Sequence, residues 1–303
     1  KDAIIAKFKR DNRIEYTRPQ ILVSTGAKQT IYNLFMAVLN PGDEVVIPAP
    51  YWVSYPDMAL LADGVPVMPY AGPDQAYKIT PAQLEAAITP KTRIFMLNSP
   101  CNPTGAAYTR AELQALGAVL RRHPQVLIAT DDMYEHIFWG AEPFCSFVTA
   151  CPDLDGRTVT INGVSKSYAM TGWRIGYCGG PAEIVNAMST IQSQSTSNPS
   201  SIAQKAATVA IGGDQSCIAD MVIHFKARHD FFCDGLNRIP GIRVLPAAGT
   251  FYAFCDASGA IAALGLADGG SVRLSSGTAE VTVPVRADWR TPPGQLYLPL
   301  DPR

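Results

Sequence analysis

Short apolar runs recur along the chain, and this alternation constrains the fold more than any other feature of the sequence. Each run ends in small or polar residues, and most of those clusters lead into a segment with helical periodicity. The runs occupy residues 21–23, 45–47, 93–98, 126–129 and 158–162. Strands that alternate with helices form mainly parallel sheets with helices on both faces, and such sheets bind ligands at the carboxyl ends of their strands. The sequence therefore predicts an α/β fold with functional residues just after the strands.

The length and composition favour two domains. The chain has 303 residues, of which 47% are hydrophobic, so it can bury a sizeable core. We expect a large domain over residues 1–217 and a smaller α+β domain over residues 218–303, which opens with a long helix and a hairpin-like segment. With 25 basic against 26 acidic side chains, the formal net charge is -1. This balance predicts neither nucleic acid nor a membrane surface as a partner.

The cysteines indicate a reducing compartment. The seven cysteines show no paired spacing, and an odd number argues against a disulfide framework. No apolar stretch approaches the ~20 residues that span a bilayer, and no signal peptide is visible. The sequence therefore predicts free thiols in a cytoplasmic protein, and it predicts no metal site.

The stretch from residue 162 to residue 177 is the most informative about chemistry. Lys166 follows Ser165, and Arg174 stands eight positions further on. A lysine amine can hold an aldehyde as a Schiff base, while a guanidinium group and a serine hydroxyl can bind phosphate oxygens. This stretch predicts a site for a carbonyl cofactor that carries a phosphate.

Two earlier turns carry further candidates. Gly26, Ala27 and Lys28 follow the first apolar run and open a helix, whose free N–H groups and positive dipole end can seat a phosphate. Trp52 comes just after the second run, where its ring can stack on a planar cofactor or simply belong to the core. Neither turn is specific by itself.

The next two strand ends carry polar side chains. Asn102 lies between two prolines that hold its backbone rigid, so its amide can donate to a ligand oxygen or form a local turn. Asp131 ends the following strand, where a carboxylate can keep a pyridine nitrogen protonated and improve the ring as an electron sink. Tyr134 can reach the ring's phenolic oxygen. Asp132 and Glu135 compete with Asp131, and geometry alone does not choose among the three.

The motifs that carry these residues occur in a fixed order between residues 3 and about 254. They are Gly26-Ala27-Lys28-Gln29, Pro50-Tyr51-Trp52, Asn98-Ser99-Pro100, Asn102-Pro103-Thr104-Gly105, Asp131 with Tyr134, and the Lys166 stretch. Together they resemble the class I/II, fold-type-I aminotransferases that use pyridoxal 5'-phosphate, and the bacterial aspartate aminotransferase subgroup most of all. The resemblance implies a large domain with a mainly parallel sheet between helices, followed by a smaller domain.

The resemblance also implies a role for each residue. Lys166 is then the Schiff-base lysine that moves a proton between substrate and cofactor, Asp131 pairs with the pyridine nitrogen, and Tyr134 contacts the ring's 3-oxygen. Asn102 contacts the same oxygen and the substrate carboxylate, while Trp52 stacks on the ring beside the substrate. The phosphate is held by Gly26, Ala27, Lys28, Ser165 and Arg174.

The function implied by the resemblance is transamination between aspartate, or a similar amino acid, and 2-oxoglutarate. The resemblance also implies a homodimer, in which residues 193–198 serve the partner's site. Two alternatives stay open. One is another reaction of the same cofactor, such as C–S lyase chemistry, and the other is an inactive, cofactor-binding fragment.

Both ends of the chain depart from the family pattern. The family pattern includes a further segment before residue 1, with a substrate loop and a tyrosine that reaches the neighbouring subunit. Beyond about residue 267, it places a carboxylate-binding arginine after a Val-Pro strand end, whereas Arg273 precedes Val283 and Pro284 here. We hypothesise that reading-frame errors altered this tail, and we expect a chain that binds cofactor but turns over amino acids poorly.

Overall fold

The computed structural model describes residues 1–263, 265, 271–276 and 279–284. The helices are α1 (Asp2–Lys7), α2 (Ala27–Val38), α3 (Ser54–Leu61), α4 (Pro81–Ala87), α5 (Arg110–Arg121), α6 (Phe147–Ala150), α7 (Ala182–Ser193), α8 (Ser201–Gly212), α9 (Ser216–Leu236) and α10 (Ser258–Ala263). The strands are β1 (Ile21–Ser24), β2 (Glu44–Val46), β3 (Val65–Val67), β4 (Thr92–Asn98), β5 (Leu127–Asp131), β6 (Thr158–Gly163), β7 (Gly176–Gly179), β8 (Arg243–Val244), β9 (Cys255–Asp256), β10 (Ser271–Ser276) and β11 (Ala279–Pro284). A π-helical turn, Phe8–Asn12, continues α1.

Seven strands form a central sheet in the order β1-β7-β6-β5-β4-β2-β3. Five neighbouring strands pair in parallel, namely β6, β5, β4, β2 and β3. Strand β7 is antiparallel to both of its neighbours, β6 and β1. The predicted mainly parallel sheet is therefore confirmed. Because parallel strands end at the same edge, the last residues of β4, β5 and β6 lie side by side there.

Helices cover both faces of this sheet, as the apolar strands require. On one face, α2, α3 and α7 contribute Leu34, Phe35, Met58 and Met188 to a buried cluster. On the other face, α4, α5 and α6 contribute residues such as Leu84, Leu116 and Phe147. A third cluster, to which α1 and α8 belong, includes Ile4, Phe8 and Ala207. Strands that are buried on both sides need continuous apolar sequence, which explains the runs seen in the chain.

Local signals account for where helices begin. Thr109 caps α5, because its hydroxyl accepts a hydrogen bond from the backbone N–H of Glu112, whose carboxylate in turn accepts from the backbone N–H of Thr109. This reciprocal pair is a capping box, which a Thr followed three residues later by Glu at the start of a helical pattern predicts. Thr80 and Gln83 form the same motif at the start of α4.

The chain separates into two compact units. The first comprises Lys1–Lys226 and Ala247–Tyr252, and the second comprises Ala227–Pro246 with the described residues from Ala253 onward. The predicted boundary between residues 217 and 218 stays a prediction. The backbone of Arg273 belongs to β10, which pairs with β11, but its side chain lies outside the described residues, as does most of the tail from about residue 267.

The seven cysteines are all free. Among the residues that the structure describes, no helix combines the length and the apolar character needed to cross a lipid bilayer.

Candidate active site

A cavity of about 280 Å³ opens among the carboxyl ends of the sheet strands in the first unit. It is lined by residues that lie far apart in the sequence: Ala27, Lys28, Trp52, Tyr55, Asn98, Asn102, Asp131, Met133, Tyr134, Ser165, Lys166, Thr171, Arg174 and Tyr252. These lining residues include nine of the ten residues that the sequence assigned to the cofactor site. The tenth, Gly26, lies against the guanidinium group of Arg174, as described below.

Lys166 lies half-buried in this cavity, in the loop that follows β6. Its Nζ lies 5.9 Å from the ring centroid of Tyr134 and 5.2 Å from that of Phe251. Burial lowers the pKa of Lys166, and the positive charge of Arg174 lowers it further, against the opposing effect of Asp131. A lowered pKa increases the fraction of neutral amine, which is the form that attacks a carbonyl group.

Asp131 is the last residue of β5 and is buried. Its Oδ2 accepts a 2.7 Å hydrogen bond from the hydroxyl of Tyr55, and its Oδ1 accepts one of 3.2 Å from the backbone N–H of Met133. Burial raises the pKa of Asp131 to about 6, although both hydrogen bonds and the charge of Lys166 oppose this rise. A carboxyl group that titrates so close to neutrality can share a proton with a basic ring nitrogen.

The two competing carboxylates do not line the cavity. Asp132 accepts a hydrogen bond from the hydroxyl of Thr130, and burial raises its pKa to about 7. Glu135 pairs with Lys7 in a separate buried cluster. Of the three candidates that the sequence left open, only Asp131 faces the cavity.

Tyr134 faces the cavity with a partner that the sequence did not indicate. Its hydroxyl oxygen lies 2.6 Å from that of Tyr252, so one hydroxyl donates to the other. Tyr252 belongs to the segment predicted only as hairpin-like, in which no motif marked it. Tyr55 was also missed, although it stands three residues after Trp52, which is about one helical turn. That spacing is a signal that could have placed Tyr55 near the same ligand.

The start of α2 and Arg174 form a cradle with the features of an anion site. Gly26 has a φ of 84°, and a Cβ atom there would overlap the guanidinium group of Arg174. Arg174 itself has a φ of 53°, and its Nη1 donates to the carbonyl oxygen of Thr171 at 2.8 Å. Because Gly26 has no side chain, the guanidinium group lies directly against the first turn of α2. The helix begins at Ala27, before the apolar pattern of residues 31–39, so its free N–H groups are at the cavity.

Two asparagines connect the neighbouring strand ends. Nδ2 of Asn98 donates to the carbonyl oxygen of Asp131 at 2.8 Å, and Oδ1 of Asn98 accepts from the backbone N–H of Asn102 at 2.7 Å. Asn98 therefore holds the loop that presents Asn102 to the cavity. The flanking prolines predict a rigid backbone at Asn102, and this hydrogen bond from its N–H to Asn98 restrains that backbone further.

Trp52 and Lys28 lie at the rim. Nζ of Lys28 is 5.0 Å from the Trp52 ring centroid, and the rings of Trp52 and Tyr55 meet edge to face with their centroids 5.3 Å apart. The sequence assigned Lys28 to a phosphate seat through its backbone. Its ammonium group is an additional cation at the cavity, and the side chain is exposed.

The residue set fits pyridoxal phosphate group by group. The amine of Lys166 suits the aldehyde, the carboxyl group of Asp131 suits the ring nitrogen, and the hydroxyl of Tyr134 suits the phenolic oxygen. The space at Gly26, where a Cβ would collide with Arg174, suits a phosphate that needs close approach to backbone N–H groups.

The segment of residues 193–198 lies near this cradle in the same chain. Nε2 of Gln29 donates a hydrogen bond to the hydroxyl of Thr196. Oε1 of the same side chain accepts a 2.6 Å hydrogen bond from the backbone N–H of Thr25. The role of the segment in a partner's site stays a prediction.

Comparisons with known proteins identify the family of this chain. The family described as aminotransferase class I and II matches residues 1–282. The chain is 59% identical over 264 residues to an aspartate/prephenate aminotransferase of Nitrosomonas europaea, covering 87% of this chain and 66% of the relative. It is 54% identical over 282 residues to one of Cereibacter sphaeroides, covering 93% and 68% respectively.

Solved structures of aminotransferases have a similar fold. The aspartate aminotransferase of Rhizobium meliloti superimposes with a TM-score of 0.84 at 48% identity, covering 85% of this chain and 64% of that one. The Thermus thermophilus enzyme with maleate gives 0.78 at 38% identity, covering 84% and 66%. The chain thus spans about two thirds of the length of these relatives.

Proposed function

The chain belongs to the class I and II aminotransferase family, and from this premise we propose that it carries the cofactor site of a pyridoxal-phosphate transaminase. The reaction moves an amino group from aspartate, or a similar amino acid, to 2-oxoglutarate. The observation that carries the proposal is the meeting of Lys166, Asp131 and Tyr134 in one cavity. Asp131 and Tyr134 come from the end of β5 and the turn that follows it, and Lys166 comes from the loop after the neighbouring strand β6.

Pyridoxal phosphate, when bound, supplies an aldehyde that bonds to amines and a ring that withdraws electrons from the substrate's α-carbon. The chain supplies the rest of the chemistry. Lys166 would hold the cofactor through its amine, and the freed amine would serve as the base that takes the proton from the substrate's α-carbon and later gives it back. Its lowered pKa favours the neutral form that can accept a proton.

Asp131 and Tyr134 control the electronics of the ring. The Asp131 carboxylate, which accepts a hydrogen bond from Tyr55, would hold a proton at the ring nitrogen. The Tyr134 hydroxyl would donate to the ring's phenolic oxygen, and the Asn102 amide would contact the same oxygen. Trp52 also lines the cavity, and its indole would cover one face of the ring and exclude water.

Charge at the cavity supports an acidic substrate. The lining side chains include three basic groups, Lys28, Lys166 and Arg174, against a single acidic one, Asp131. Arg174 and the start of α2 balance the phosphate, and Lys166 reacts, so Lys28 is left to attract a second carboxylate. The names of the relatives, which include aspartate, agree with this assignment.

We also propose that the protein acts as a cytoplasmic homodimer. The free cysteines suit a reducing compartment. Three apolar side chains at the start and end of α3 each expose more than half of their surface: Val53, Leu60 and Leu61. Clustered exposed apolar side chains are typical of a protein–protein interface. Light scattering after gel filtration tests the dimer, and a monomer at micromolar concentration would contradict it.

An absorption experiment tests the function. Addition of pyridoxal phosphate to the purified chain should produce the band of a lysine-bound cofactor, and aspartate should remove it. Multiple-turnover keto-acid formation from aspartate that requires 2-oxoglutarate indicates transamination. Multiple-turnover keto-acid formation from a sulfur amino acid without any amino acceptor would instead indicate C–S lyase chemistry, and a band that no amino acid changes would indicate an inactive, cofactor-binding fragment.

A further inference from the structure

A buried polar cluster behind the cavity centres on Lys7. The side chain of Lys7 is 1% exposed, forms an ion pair with Glu135, and donates a 2.7 Å hydrogen bond to Oδ1 of Asn12. Burying an ammonium group costs free energy unless the group is paired. The carboxylate of Glu135 and the amide oxygen of Asn12 provide that pairing for Lys7. The carboxylates of Asp11 and Glu135 lie near His136 in a grouping that could suit a metal ion, but the Lys7 ammonium already neutralises Glu135.

Glu135 is the ion-pair partner of Lys7 in this cluster, and both of its carboxylate oxygens accept hydrogen bonds. Oε2 accepts from Nδ2 of Asn12 at 2.7 Å, and Oε1 accepts from Nδ2 of Asn162 at 2.7 Å as well as pairing with Lys7. Burial alone would raise the pKa of Glu135, but the charges of Lys7 and His136 and the hydrogen bonds from Lys7 and Asn12 lower it overall. The carboxylate is therefore ionised and fully hydrogen-bonded.

A second bridge runs beside the first. Nδ1 of His136 lies 3.2 Å from the hydroxyl oxygen of Ser167, and Nε2 of the same ring lies 3.1 Å from Oδ2 of Asp11. The imidazole thus connects the turn after α1 to the loop after β6.

The two bridges join the chain segments that carry the reactive groups. Glu135 and His136 directly follow Tyr134, whereas Asn162 stands four residues before Lys166 and Ser167 one residue after it. None of the bridging side chains lines the cavity. The contacts between Glu135 and Asn162, and between His136 and Ser167, therefore fix one segment relative to the other.

We propose that these two contacts are positioning contacts, which hold the amine of Lys166 in register with Asp131 and Tyr134, and that Lys7, Asn12 and Asp11 anchor them to the first helical segment. This proposal rests on the proposed function. A reaction at the lysine amine is sensitive to displacements of about 1 Å. Hydrogen bonds to a buried charge are strong and directional enough to prevent such displacements.

The test compares two forms of the cofactor. Pyridoxal phosphate can bond to Lys166, whereas pyridoxamine phosphate cannot, and both make the same contacts with the phosphate seat. The ratio of their dissociation constants therefore reports the placement of Lys166, while a general loss of stability affects both. Fluorescence titration gives the two constants, and thermal melting of the chain without added cofactor gives its stability.

Four variants define the measurement. Asn162→Ala removes the first bridge, and Ser167→Ala removes the second without leaving a buried charge unpaired. Lys166→Ala gives the ratio expected when no bond forms. Thr149→Val is the matched control, because its hydroxyl donates a 2.7 Å hydrogen bond to the backbone of Asn12 but does not join the two segments.

The expected results follow from the strength of the lost contacts. The ratio of the pyridoxal to the pyridoxamine constant should rise by about tenfold in Asn162→Ala, by about threefold in Ser167→Ala, and by less than about twofold in Thr149→Val. If both bridge variants keep the wild-type ratio while Lys166→Ala changes it, the positioning role is wrong. If Asn162→Ala does not fold, an unchanged ratio in Ser167→Ala alone contradicts the proposal. If the wild-type chain and Lys166→Ala have the same ratio, the proposed function fails and this inference fails with it.

Discussion

The hydroxyl of Tyr55 donates a 2.7 Å hydrogen bond to Oδ2 of Asp131, and both side chains are buried. This contact joins the first turn of α3 to the end of β5, across 76 residues of sequence. It stabilises the charged form of a carboxyl group whose pKa burial raises to about 6. Tyr55 therefore helps to set the protonation state of the group that faces the ring nitrogen.

We expect Tyr55→Phe to raise the pKa of Asp131 further, because the phenyl ring keeps the site buried but cannot donate a hydrogen bond. A hydrogen bond to a charged group contributes about 1.5 kcal/mol, so the acidic limb of the pH profile of kcat/KM should move to higher pH by about 1. The control is Tyr16→Phe, which removes a buried hydroxyl that bonds to Thr160 at 3.4 Å, away from Asp131. An unmoved acidic limb in Tyr55→Phe would show that Asp131 does not govern it.

Replacement of Asp131 by Asn should stabilise the chain without cofactor at neutral pH while lowering its turnover. The folded-state pKa of about 6 lies above the ordinary value of 3.8, so the stability contributed by this group is present at low pH and is lost as the pH rises through about 6. That loss is about 3 kcal/mol above pH 7, and Asp131→Asn removes it. Melting temperatures of both proteins between about pH 4 and pH 8 should therefore converge at the acidic end and separate at the neutral end.

The matched variant for turnover is Asp132→Asn. Asp132 is also buried with a raised pKa, but it does not line the cavity. Cofactor should stay bound in Asp131→Asn through its phosphate, whereas most turnover is lost because a neutral ring is a poor electron sink. A larger loss of turnover in Asp132→Asn would show that the wrong carboxylate was assigned.

The fold and most of the site could be predicted because their signals are local. Asp131 ends a buried strand, and Asn102 and Lys166 each follow one. Parallel strands bring such positions to one edge whatever the details of packing. Tyr252 could not be predicted, since its hydroxyl meets that of Tyr134 across 118 residues. Such contacts depend on tertiary packing, which leaves no periodic pattern in the chain.

The choice among Asp131, Asp132 and Glu135 shows the same limit. All three lie within five residues, and each is a buried carboxyl group. What separates them is the partner that the fold provides: Tyr55 for Asp131, Thr130 for Asp132, and Lys7 for Glu135. Two of these partners are remote in sequence.

Lys166→Ala should abolish both transamination and covalent attachment of the cofactor, because Lys166 is the lysine that lies half-buried in the cavity with a lowered pKa. Borohydride treatment of the wild-type chain with pyridoxal phosphate, followed by peptide mapping, should place the label on Lys166. Lys28 is the other lysine that lines the cavity. A label on Lys28 in the Lys166→Ala variant, together with retained turnover, would overturn the assignment.

Lys28→Ala should weaken the binding of aspartate without affecting amino acids that lack a second carboxylate. The Lys28 ammonium lies at the exposed rim, 5.0 Å from the Trp52 ring centroid, where it can attract the substrate's side-chain carboxylate. Because the group is exposed and screened by salt, its contribution is below about 1 kcal/mol. We therefore expect the KM for aspartate to rise by about threefold and the wild-type preference for aspartate over alanine to decline with ionic strength. Lys28→Arg should keep most of the preference, and Lys91→Ala, at an exposed lysine outside the cavity, should leave it unchanged. Equal losses for aspartate and alanine in Lys28→Ala would instead assign the Lys28 ammonium group to the cofactor's phosphate, in addition to the backbone contact that the sequence suggested.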